Sequence, residues 1–238
     1  MPLYRDVAVV LRTHKLGEAD RIVVLMGRSS GKVRAVAKGV RRTGSKFGSR
    51  LEPGSYVQVQ LHEGRGELQL VTQAETVEAH SQTREDLSRM GHAAALLEAV
   101  DQLAQDGEPN PRLHDMLVGG LHTVEESNPP AIVAAFYLKL LAAEGVAPQL
   151  DRCVSCGEDV DTLYWAPEAG GVRCGSCGGG KTVTPEALAV ARAVLGGGLN
   201  TALSLPSGAV VHEVEEMASR LLEVHIERRL RAITVLHD

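Results

Sequence analysis

The residues with the clearest chemistry in this chain are four cysteines. They stand as Cys153-Val-Ser-Cys156 and Cys174-Gly-Ser-Cys177, and the sequence holds no others. Two C-x2-C pairs at this separation have the spacing of a four-thiolate zinc site. Two residues between sulfurs let one tight turn present both to the same ion, and two such turns close a tetrahedron. Gly157 and Gly178 follow the pairs, where each turn needs a residue free to take positive φ. Four protein ligands leave no open position, so the expectation is one structural zinc ion per chain. Arg152, Arg173 and Lys181 flank the ligands and can offset their charge. Paired disulfides fit poorly with sparse cysteine. A redox C-x-x-C normally occurs singly. A four-thiolate iron site looks the same from sequence.

A second cluster is cationic. The segment Lys38-Gly-Val-Arg41-Arg42-Thr-Gly-Ser-Lys46-Phe-Gly-Ser-Arg50 sets five cations among small, flexible residues. Such loops grip phosphates through guanidinium forks and free backbone N–H groups. The whole chain has a formal net charge of −5, which hides its distribution. Residues 1–60 hold twelve lysines and arginines against four acidic residues, a net of +8, so 61–238 carries −13. A basic head on an acidic body is the footprint of a polyanion-binding module.

These groups need elements to position them. Residues 1–80 read as β: Val7 to Arg12, Arg21 to Met26, Lys32 to Lys38, Tyr56 to Leu61, and a fifth run entered by the hairpin Gly64-Arg65-Gly66 and Glu67. In the third run Val33, Ala35 and Ala37 face one way, and Lys32, Arg34 and Lys38 the other. Five short strands with a long third connection suit an OB-fold barrel, and an SH3-like barrel is the competitor. The oligonucleotide-binding candidates on this barrel are therefore Lys32, Arg34, Lys38, Arg41, Arg42, Lys46 and Arg50. Tyr4, Phe47 and Tyr56 are its few stacking candidates, so binding is expected to be mainly electrostatic.

From about residue 84 the period turns helical. A helix through Leu87, Met90, Ala94 and Leu97, with Leu96, Val100 and Leu103 beside it, is apolar enough to be buried on more than one side. Asn110-Pro111, Asn128-Pro129 and Thr184-Pro185 read as helix starts, and a last helix spans about 209–230. The expected organisation is α+β and multidomain. A basic OB-fold over 1–80 precedes an all-α bundle of 81–149 and 182–238, interrupted by a zinc module at 150–181.

No active site stands out. The nine histidines are scattered, and neither a phosphate-binding G-x-x-x-x-G-K-[ST] nor a nucleophile elbow occurs. With 44% hydrophobic residues and apolar runs broken by charges, the chain is expected to be globular, non-enzymatic and without a membrane span. A start that enters a strand pattern directly, with reduced-looking cysteines, points to the cytoplasm.

Together, the basic five-stranded barrel, the Lys38–Phe47 connection, Gly64-Arg65-Gly66-Glu67-Leu68 and the interrupted helical domain resemble the RecO family of bacterial recombinational-repair mediators. The resemblance covers essentially the whole chain, and the connection and cysteine quartet are its most specific parts. It implies binding of single- and double-stranded DNA, which assigns the barrel's oligonucleotide-binding candidates to DNA, and annealing of complementary strands. It also implies partnership with RecR and with single-stranded-DNA-binding protein, leading to loading of RecA. Family members differ in the cysteines, so the shared activity does not require zinc. From the residues alone, a zinc-ribbon RNA-binding protein of transcription or translation is the alternative. A metal-dependent nuclease lacks the clustered carboxylates it would need.

Overall fold

The computed structural model describes residues 3–64, 66, 68–159, 163–178 and 180–232. Arg65 and Glu67 of the expected hairpin lie outside the described residues. The alternating pattern becomes β1 (Leu3–Leu16), β2 (Asp20–Gly27), β3 (Gly31–Ala37), β4 (Tyr56–His62) and β5 (Gln69–Glu78). They close into a barrel in the order β1-β2-β3-β5-β4. Every pairing is antiparallel except that of β3 with β5. This is the OB-like arrangement.

Alternate residues fill the barrel, including Val10, Leu25, Ala35, Val59 and Val71. Val40, Phe47 and Leu51 join them from the long connection, where a short 3-10 turn spans Gly48–Leu51. Burying these three anchors the connection against the barrel and turns its polar positions outward.

β1 and β2 are apolar on both faces. Val9, Leu11, Val24 and Met26 are buried although they lie outside the barrel core. Helices cover that outer face: α1 (Ser81–Glu85), α2 (Leu87–Leu103) and α3 (Pro111–Glu126), with α2 and α3 packed on β1. Residues 1–126 thus form one compact unit, which gathers α1–α3 with the barrel rather than with the later helices. Asp86 caps α2 by accepting from the Arg89 N–H at 2.8 Å, and Asn110 caps α3 through the Leu113 N–H at 3.0 Å. Leu96, Leu97 and Val100 are buried, but Leu87 is 82% exposed and Met90 49%. The expected burial on more than one side holds from Ala93 onward, although Ala94 itself is exposed.

The second unit, 127–238, contains α4 (Ile132–Ala143), β6 (Leu163–Ala166), β7 (Gly171–Cys174), α5 (Pro185–Leu195), α6 (Leu199–Leu203) and α7 (Ala209–His225). α4 is apolar on every side and buried accordingly, packing with α5, α6 and α7. Thr184 caps α5 as its sequence suggests, accepting from the Ala187 N–H at 3.2 Å. Asn128 does not cap α4: it takes φ +45°, and the helix begins at Ile132 behind Ala131 without a side-chain cap. α7 stops at His225, short of the expected end, and Glu227 turns to φ +53° just beyond. Among the described residues no helix is long and apolar enough to cross a membrane.

Candidate metal centre and nucleic-acid interface

β6 and β7 form a hairpin that places Cys174 at its end, opposite Leu163. The preceding segment docks on the same hairpin through the Val154 N–H to the Val172 carbonyl at 2.9 Å, which brings the Cys153 turn alongside. That turn closes by the Gly157 N–H donating to the Cys153 carbonyl at 2.9 Å, with Gly157 at φ +77°. The Cys177 N–H closes the second turn on the Cys174 carbonyl at 3.2 Å. Gly178, expected to need a positive φ, does not take one.

The four sulfurs all lie within 4.8 Å of one another, and Cys156 and Cys174 Sγ are 3.7 Å apart. A tetrahedron with zinc–sulfur bonds of about 2.3 Å has sulfur–sulfur edges of about 3.8 Å. The quartet therefore fits one metal ion. Its thiols also show why an ion suits it. Backbone N–H groups of Cys174 and Cys156 directed at Cys153 lower its thiol to about 6. Sharing with the Cys156 and Cys174 thiols pushes Cys177 up to about 12. One thiolate is welcome without a cation, and a further one beside it is not. A bound cation would let all four ionise. Arg173 passes close to Gly178, and its Nε is buried without a partner among the described residues. Lys181 is instead paired with Glu216, and Arg152 is exposed.

The structure sorts the basic residues of the barrel into two sets. Four of those on or beside the strands are neutralised. Arg12 meets Asp101 at 2.8 Å, Arg21 meets Glu52 at 2.6 Å and Arg28 meets Asp115 at 2.9 Å. Lys32 belongs with them: its side chain is 15% exposed, 3.6 Å from Asp106, and its ammonium donates to the Asp101 carbonyl at 2.9 Å. The cations of the connection behave differently. Arg41 donates to the Gly17 and Glu18 carbonyls, Lys46 to the Thr72 carbonyl, and Arg50 to the Lys46 and Phe47 carbonyls. Lys38 and Arg42 are exposed beside them. Among the described residues, none of these five is paired with a carboxylate. Backbone carbonyls hold Arg41, Lys46 and Arg50 in place while leaving their charge uncancelled. Arg34 is exposed on β3.

Of the three stacking candidates, Phe47 is 1% exposed beneath the Lys46 ammonium, 5.0 Å from its ring centroid. Tyr56 leans on the buried His114, with centroids 5.7 Å apart. Tyr4 lines a cleft. The buried histidines have packing roles, as His80 shows by bonding the Gly54 carbonyl at 2.8 Å.

Comparison with known proteins places the whole chain. The family described as "Recombination protein O N terminal" matches residues 1–80, and "Recombination protein O C terminal" matches 84–232. The chain belongs to the recombination protein O (RecO) family. It is 43% identical over 242 residues to a Frankia casuarinae protein named "DNA repair protein RecO", covering 99% of each chain. Proteins of the same name from Nocardioides sp. and Cutibacterium acnes are each 42% identical. These alignments cover 97% and 99% of this chain, and 98% and 99% of the relatives.

The second unit holds one feature that sequence reading found only in part. Trp165, Val183 and Met217 floor a cleft of about 450 Å³, rimmed by Lys181, Arg220 and Glu216. Arg220 is suggested by its place on the last helix. Trp165 and Lys181 are not, because only the fold of the cysteine module brings them to α7.

Proposed function

We propose that this chain is a non-enzymatic DNA-binding and strand-annealing factor of recombinational DNA repair. In this reading it acts in the cytoplasm with RecR and with single-stranded-DNA-binding protein to promote RecA loading, and its cysteines hold zinc. The observation that supports it most is the set of five cations, Lys38, Arg41, Arg42, Lys46 and Arg50, left unneutralised on the connection of an OB-like barrel. Relatives named as DNA repair proteins direct that charge to DNA. Annealing requires no bond chemistry. Fixed cations that neutralise phosphates on two strands lower their mutual repulsion, and released counterions drive the binding. Both single- and double-stranded DNA satisfy such a surface.

Access to coated strands calls for a second contact. In this reading the acidic tail of the single-stranded-DNA-binding protein, with its apolar end, enters the cleft of Trp165, Val183 and Met217. Lys181 and Arg220 at the rim are paired with Glu216 and with Glu168 and Glu223, so the tail's carboxylates would take the place of those partners.

The test is annealing of complementary oligonucleotides by the full chain without divalent metal, on naked and on coated strands. Arg41→Glu with Arg42→Glu should abolish annealing of both. Met217→Glu should spare naked strands and lose coated ones. Undiminished annealing by the charge-reversed protein would remove the barrel from DNA binding. A preference for RNA would favour the zinc-ribbon reading instead.

A further inference from the structure

The first unit contains a cleft of about 560 Å³ between the barrel and the 106–109 loop. The loop is fixed in place: the Gly107 N–H donates to the Lys32 carbonyl at 2.9 Å. A Cβ on Gly31 would stand 2.2 Å from the Glu108 carbonyl oxygen, so the two strands of chain approach as closely as glycine allows. Tyr4 lines the cleft together with Lys32, Arg34, Glu63, Gln69 and Asp106. The Tyr4 hydroxyl donates to Gln69 Oε1 at 2.7 Å, which pins the ring and leaves the Gln69 amide N–H groups as donors.

The chemistry of this lining differs from that of the basic connection. It pairs two cations with two carboxylates around an aromatic ring. A phosphate would meet both carboxylates. Tyr4 is partly buried against the barrel core, and the side of its ring that lines the cleft offers a nucleobase a surface to stack on. The base would also find carboxylates to accept from its exocyclic amines, and donors for its carbonyls. A cleft of this size suits a nucleotide-sized ligand. It is also continuous with the cationic connection. Lys32 and Arg34 share the outward parity of β3, and the connection begins at Lys38, directly after the strand's last residue Ala37. A strand gripped at the connection and laid along β3 passes over the cleft.

We propose that this cleft receives one unpaired base of a bound single strand, stacked on Tyr4, so that the barrel senses bases as well as phosphates. The proposal rests on the barrel being the DNA-binding surface.

The full chain is titrated at one fixed salt concentration with two oligomers of equal length and charge. One is an ordinary single strand, and the other carries abasic sugar at every position. The ordinary strand should bind on the order of 10-fold more tightly, the worth of one stacked base. Tyr4→Ala should erase that difference without changing binding of the abasic strand. Tyr4→Phe, which keeps the ring, should preserve most of it. Equal, salt-sensitive binding of both oligomers by the unaltered chain overturns the cleft proposal and leaves the electrostatic reading intact. Binding of neither overturns both.

Discussion

In the barrel, five strands enclose a core that runs from Ala8 to Ala74 and includes Phe47, Leu51 and Leu61. In the cysteine module, β6 and β7 are four residues each, and the buried aliphatic side chains around them are Leu150, Leu163, Val172 and Val183. An isolated two-stranded hairpin is marginally stable at best in water. The barrel closes by main-chain pairing around its apolar interior. The module has too little interior to do so, and its four sulfurs occupy the place a core would take.

The comparison is broken most severely at the sulfurs. Zinc held by the quartet, as proposed, would contribute about 10–16 kcal/mol at neutral pH by the measure of zinc-finger peptides, and that binding energy is folding energy. Cys156→Ser, or a strong chelator, should therefore unfold 150–181 and lower the stability of the second unit by several kcal/mol. Trp165 is the sole tryptophan and lies on β6, so its fluorescence reports the change directly. Hydrogen exchange should rise across β6 and β7 while barrel amides stay protected. Loss of protection in β1–β5 on chelation would show that the two regions are not closed independently.

The barrel unit has its own polar fastening, of smaller worth. Glu125, at the end of α3, is buried and accepts from the Gln82 and Thr83 N–H groups at 2.9 and 2.8 Å and from the Thr83 hydroxyl at 2.8 Å. Burial pushes its carboxyl up, but these hydrogen bonds outweigh it and hold the group below its ordinary value. Its contribution is thus fully present above the ordinary glutamate pKa of about 4.3 and is lost as pH falls through the lower folded value. Glu125→Gln should cost about 1–3 kcal/mol at neutral pH. The gap between variant and parent should close in acid, measured by denaturant unfolding at a series of pH values. A gap independent of pH would assign the loss to shape instead of charge.

The same contrast governs what the sequence discloses. The quartet was legible because its ligands are set by two tight turns, a matter of local spacing. The barrel was legible because strand parity marks Val33, Ala35 and Ala37 as interior. Local signals failed where distant partners decide. Lys32 reads as an outward cation, yet it ends on the Asp101 carbonyl, 69 residues away, and Arg28 is matched by Asp115, 87 residues away. The Tyr4 cleft needs β1, β3, β5 and the 106–109 loop at once, and no stretch of sequence announces it. Asn128-Pro129 shows the converse: a sound helix-start motif whose asparagine adopts a left-handed turn ahead of the helix.

The smallest effect separates the two sets of cations. Each cation that contacts a phosphate contributes about 1 unit to the slope of log affinity against log salt. Arg42 is exposed and, among the described residues, has no carboxylate beside it, so Arg42→Ala should flatten the slope by about 1. Arg12 is itself half-exposed, but its guanidinium already faces Asp101, which is 9% exposed. Removing Arg12 strands that carboxylate, so the cost should appear in unfolding stability, with the salt slope nearly unchanged. The two variants change formal charge equally and differ only in what the lost cation was facing. If Arg12→Ala flattens the slope as much as Arg42→Ala does, the strand body contacts DNA as the connection does. The division drawn from the ion pairs would then fail.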